Sequence, residues 1–101
     1  MKKQIAIKEF IIDGNIFSNI EEFYNEVQMV LTDNFTGFGR NLDAFDDILY
    51  GDLGRFDSKE KIILIWKNFE KSKISLNSKF LKQILEIIKS HKNILLRIIN
   101  T

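Results

Sequence analysis

Along the first third of the chain the spacing of apolar residues changes once, from the period of a strand to that of a helix. From Gln4 to Ile12 they alternate at first, at Ile5 and Ile7, and then run on through Phe10, Ile11 and Ile12, as in a strand covered on at least one face. Asp13-Gly14 supplies the turn that ends it. Ile20, Phe23, Val27, Val30 and Leu31 then recur at helical spacing. Ser18 with Glu21 three residues later forms a capping-box pattern, so a helix is expected over roughly residues 19–32.

Beyond a loop holding Gly37 and Gly39, Asn41 is placed to cap a short helix with Leu42, Phe45 and Leu49 on its apolar side, and Gly51 is placed to stop it. The β-branched run Ile62 to Trp66 reads as a buried central strand. Asn68 to Lys73 reads as a helical turn or short helix. Asn77 caps a further helix that turns Phe80, Leu81, Ile84, Leu85 and Ile88 inward, and Ile94 to Ile99 closes the chain as a third strand. Strands alternating with helical segments call for right-handed crossovers. The expected fold is α/β, a small three-stranded parallel β-sheet packed with three to four helices.

Composition narrows this picture. A chain of 101 residues, 45% of them hydrophobic, suffices for one ordinary core and not for two, so residues 1–101 are expected to form one domain. The absence of cysteine excludes disulfides and thiolate metal sites and fits a reducing, cytoplasmic location. Lys8 and Glu9 interrupt the apolar start before a secretion signal develops, and the longest apolar runs are strand-sized, so no membrane span is expected.

A net charge of +1 conceals a division along the chain. From Asp33 to Glu60 the acids Asp33, Asp43, Asp46, Asp47, Asp52, Asp57 and Glu60 face only Arg40, Arg55 and Lys59. The last third reverses this, with Lys67, Lys71, Lys73, Lys79, Lys82, Lys89, Lys92 and Arg97 against Glu70 and Glu86. The acidic region would attract a cationic partner and repel nucleic acid. The basic end leaves a nucleic-acid-binding module as an alternative, although its lysines are scattered and have few aromatics among them to stack bases.

The second helix concentrates the acids. Asp43, Asp46, Asp47 and Tyr50 stand at i, i+3, i+4 and i+7, one stripe opposite Leu42, Phe45 and Leu49. Like charges at these spacings repel by a few tenths of a kcal/mol per pair, and the helix N-terminus offsets this only for Asp43. A solvated face with chance clustering, a cation-seeking protein interface and a divalent-metal site all fit the stripe. The metal reading is the weaker specific one, because Gly37-Phe38-Gly39-Arg40 matches neither a P-loop nor a dinucleotide fingerprint.

Gly39-Arg40-Asn41-Leu42-Asp43-Ala44-Phe45-Asp46-Asp47-Ile48-Leu49, followed by Gly51, resembles the inhibitory loop and second helix of the barstar family. Asp13-Gly14 and Leu64-Ile65-Trp66-Lys67-Asn68-Phe69-Glu70-Lys71-Ser72 are similar to the family's first turn and second strand, and the order of elements agrees over nearly the whole chain. The resemblance implies a barstar-like fold and an intracellular inhibitor that plugs the active site of a basic ribonuclease, one to one, and imitates the substrate's phosphate. By position Asp47 takes the phosphate-mimic role, Asp43 matches the family's other helix aspartate, and Gly51 matches the glycine that lets the backbone approach the enzyme. Phe38, Gly39, Asn41, Asp46 and Tyr50 complete the expected partner-binding set. This chain departs from the family's type member at Gly37, which stands for an aromatic, at Asp46, which stands for a tryptophan, and at Arg40, which replaces an acid. Lost aromatic anchors imply lower affinity or a different partner. Glu86 has no secure counterpart.

No cofactor or metal is expected, and the free protein is expected to be a monomer, since the acidic stripe is not self-complementary. Catalysis is disfavoured: there is one histidine, His91, no cysteine and no serine in a nucleophile-elbow pattern. Near a helix C-terminus His91 is expected to be solvated or favoured by the helix dipole, and Trp66 is expected in the core, where its indole N–H needs a partner. Phe38 between two glycines could anchor the loop or face a partner. A barstar-like interaction domain with a non-ribonuclease partner remains the alternative function.

Overall fold

The computed structural model describes residues 6–33 and 37–101. Residues 4 and 5 of the expected first strand lie outside the described residues. Elements follow in the order β1 (Lys8–Asp13), α1 (Ile20–Leu31), α2 (Leu42–Leu49), β2 (Ile62–Lys67), α3 (Phe69–Ser75), α4 (Ser78–Ser90) and β3 (Ile94–Ile98). The strands form one parallel sheet in the order β1-β2-β3, with Lys8 opposite Ile62 and Ile62 opposite Ile94. The α/β class and the three-stranded parallel sheet are as expected, with four helices among the described residues.

The apolar side chains at alternate strand positions, Ile12, Ile62, Leu64, Trp66 and Ile94, are buried in one cluster with residues of all four helices. At its centre the ring of Phe23 from α1 stacks on Trp66 at 5.5 Å, and Phe17 and Phe69 meet the indole edge-on. The indole of Trp66 is fully buried, and its Nε1–H donates to Ser72 Oγ at 2.9 Å, which supplies the partner that a buried tryptophan needs.

Asparagine caps set three helix starts. Asn41 Oδ1 accepts from the N–H of Ala44, and Asn77 Oδ1 accepts from Lys79 and Phe80, as the sequence indicates. The first helix is capped one residue later than expected: Asn19, not Ser18, accepts from the N–H of Glu22, and the Glu22 carboxylate reaches back to the N–H of Ser18. Helix α3 starts differently, with Asn68 in the left-handed region at φ 55° and its side chain donating to Asp13 Oδ1. The N–H of Asn15 and, next, that bond, aided by Lys67 and Lys71, hold the Asp13 carboxyl below its ordinary range. The N–H of Asp13 donates to the carboxylate of Glu26, which ties α1 to the end of β1.

Candidate functional site

Helix α2 begins at its Asn41 cap and ends where Gly51 takes φ +85°. A Cβ on Gly51 would meet Phe56 O at 2.8 Å and the Phe56 ring at 2.9 Å. The glycine is therefore required by the chain's own packing, in a backbone region that L side chains avoid. Phe45, Ile48 and Leu49 fix the buried side of the helix against α1 and α4. The opposite side carries Asp43, Asp47 and Tyr50 into solvent and Asp46 half into it.

The four residues of the stripe differ in how they are held. Asp43 and Asp47 make no side-chain hydrogen bond or ion pair among the described residues, so both carboxylates are free to receive an outside cation. Asp46 is engaged: its Oδ1 lies 2.6 Å from His91 Nε2, and the imidazole is almost fully buried while the carboxylate keeps an exposed edge. Tyr50 is exposed, with its ring against the His91 ring at 4.7 Å in an edge arrangement. Of the two expectations for His91 the solvated one is thus incorrect, and the residue stands at the C-terminal cap of α4. Its ring lies in the seam between the end of α4 and α2, where the Asp46 carboxylate gives it a hydrogen-bond partner.

The loop before α2 is pinned from below. Phe38 is buried and meets Tyr24 of α1 edge-on at 5.6 Å, so it anchors the loop in the core. Tyr24 is buried as well, and burial pushes its phenol above the ordinary tyrosine value. Arg40 turns away from the acids. Its guanidinium donates to Asn25 Oδ1 at 2.6 Å and Gln28 Oε1 at 3.1 Å and lies over the Phe38 ring, so it neutralises none of the stripe by direct contact.

Between this loop and the helix is a hollow of about 210 Å³ lined by Gly37, Phe38, Gly39, Ala44, Asp47, Ile48, Gly51 and Leu53. It joins four of the expected site residues, Phe38, Gly39, Asp47 and Gly51. Asn41 acts as the cap, while Asp43, Asp46 and Tyr50 lie outside the hollow's lining. Gly37, Ala44, Ile48, Leu53 and His91 are the additional residues of the site. Short glycine spacing and the helical period foreshadow the first three, but nothing local marks His91 or Leu53.

A hollow with an apolar floor and one unpaired carboxylate in its lining is suited to a cationic side chain with an apolar stem. Glu86 of α4 shares a separate shallow depression with Leu42 at the start of α2, on the border of the acidic side. No group of acidic and histidine side chains among the described residues has a metal-binding arrangement, and no described helix is long and apolar enough to cross a membrane.

No curated protein matches the chain. Residues 7–95 match the family described as Barstar (barnase inhibitor), a span that takes in all of the sheet and helix elements except the end of β3.

Proposed function

The chain belongs to the barstar family, and on that premise we propose that it binds a basic ribonuclease one to one, closing the enzyme's active site with the 37–41 loop and the exposed side of α2. The observation that carries this reading is the unpaired Asp47 carboxylate in the lining of an apolar hollow. A ribonuclease active site must present cationic groups to a phosphate, and Asp47 offers them an anion that they cannot cleave. Asp43 and Tyr50 extend the contact along the helix, and the exposed edge of Asp46 adds charge where the family's type member has an aromatic. Gly39, with Gly37, leaves the loop backbone open to close approach, while Phe38, Asn41 and Gly51 act by holding the backbone in shape.

The protein acts as one domain and as a binding protein, not a catalyst, needs no cofactor, and works in the reducing compartment that a cysteine-free chain suits. Calorimetric titration against a panel of basic microbial ribonucleases, barnase among them, tests the reading. Saturable one-to-one binding is expected. Asp47→Ala should weaken it at least about thirtyfold, in line with the ~2–5 kcal/mol cost of truncating one partner of a buried charge pair, a range drawn partly from this family's own type complex.

A second reading is a barstar-like domain directed to another basic protein. The Asp46–His91 pair favours it, because a carboxylate held by the chain's own imidazole replaces the aromatic anchor of the type member. Absence of binding across the panel, together with capture of a basic protein that Asp47→Ala abolishes, would decide for it.

A further inference from the structure

We propose that the outer face of the β-sheet is a self-association surface on which two copies of this chain pack face to face. Topology leaves that face bare. With strands in the sequential order β1-β2-β3, every right-handed crossover lies on the same side of the sheet, and the residues of all four helices pack on that side. Parallel sheets are ordinarily covered on both faces.

The bare face is nevertheless apolar. Its positions run in two cross-strand rows, Glu9–Ile63–Leu95 and Ile11–Ile65–Arg97. None of the four aliphatic residues in these rows belongs to the core cluster. Ile11 and Leu95 are 47% and 57% exposed, while Ile65 on the central strand is 7% exposed. Ile7 extends the patch, lining a shallow hollow with Ile63 and Leu95.

Charge placement selects a second copy as the occupant. Glu9 on β1 and Arg97 on β3 stand at opposite corners of the patch, and neither makes an ion pair among the described residues. A twofold axis in the plane of the interface, crossing the line between these corners midway, passes near Ile63 and Ile65. It sets Glu9 of each copy against Arg97 of the other, with the isoleucines against their own counterparts. Lys61, just before β2, and Lys67, its last residue, fall beyond the two rows. The sheet thus has the self-complementary pattern that the acidic side of α2 lacks, and the pairing leaves α2 free on the far side of each copy. The inference therefore stands independently of the ribonuclease reading.

Three short strands spaced about 4.8 Å apart make a small patch, so the association is of the weak class, to be sought by sedimentation equilibrium of the chain alone from about 10 µM to 1 mM. A reversible monomer–dimer equilibrium is expected. Leu95→Glu, Glu9→Arg or Arg97→Glu should each weaken it at least about tenfold, and the double variant Glu9→Arg/Arg97→Glu should restore it, since the swap regenerates both cross-copy pairs. All three residues are exposed, and circular dichroism checks that each variant is folded. A monomer throughout the range overturns the proposal. So does a dimer indifferent to Leu95→Glu, or one in which the double charge swap is no better than the single reversals.

Discussion

Helices α2 and α4 pack against each other, both begin at an asparagine cap and both bury one apolar side, but their charges are arranged for different ends. Helix α4 has no acid in its first turn and ends with Lys89 in its last, so its C-terminal charge matches the helix dipole. Helix α2 carries Asp46 and Asp47 in its last turn with no basic residue there, against the dipole and in the company of Asp43. One helix is arranged to stabilise the fold. The other accepts internal repulsion, and the positions that incur it are those that face outward beside an apolar hollow. A surface that is unfavourable for its own helix and is kept open by an arginine turned aside is best understood by what docks on it.

Three substitutions test this contrast, in order of decreasing effect on stability. Ile84→Ala empties a fully buried position of α4 and should lower the unfolding free energy by about 2–5 kcal/mol in urea titration. A loss under ~1 kcal/mol would show that α4 does not anchor the core. His91→Phe keeps a ring against Tyr50 but removes the donor to Asp46, and should cost about 1–2 kcal/mol by the same measurement. An unchanged midpoint would mean that the pair contributes nothing to joining the two helices. Asp47→Ala, the change expected to damage binding most, should stabilise the free protein by a few tenths to about 1 kcal/mol, because it removes a carboxylate from the wrong end of the helix. Destabilisation by that variant would contradict the reading of α2 as a helix that gives up stability for its exposed charge.

The sequence made legible whatever depends on near neighbours. Asn41 and Asn77 disclose their helices because a capping side chain bonds to N–H groups only two or three residues away. Ser18 misleads as a cap for the same reason: Ser18/Glu21 and Asn19/Glu22 both satisfy the local pattern, and the hydrogen bonds fall to the second. The acidic stripe follows from helical periodicity alone. His91 does not, since its partner Asp46 is 45 residues away and the seam that buries the ring exists only once α2 and α4 have met. Phe38 between two glycines reads equally as core or contact, and it is the ring of Tyr24, 14 residues away in sequence, that holds it in the core. The bareness of one sheet face was also hidden, because Ile62 to Trp66 is continuously apolar and reads as covered on both sides, whereas the sequential strand order places all the crossovers on one.

That same strand order bears on how the chain closes upon itself. No strand has to be threaded between two that are already paired. The connection from Ile62 to Ile94 is shorter than the one from Lys8 to Ile62, so the loop joining β2 to β3 costs less entropy to close, by a few tenths of a kcal/mol. Helix α2 rides on the longer connection, whose closure cost rises only about 0.6 kcal/mol for each doubling of its length. The segment that an outside protein would read is thus the part of the chain in which residues can be added or exchanged at least expense to the rest, which leaves its contact surface free to be reshaped while the sheet beneath it stays the same.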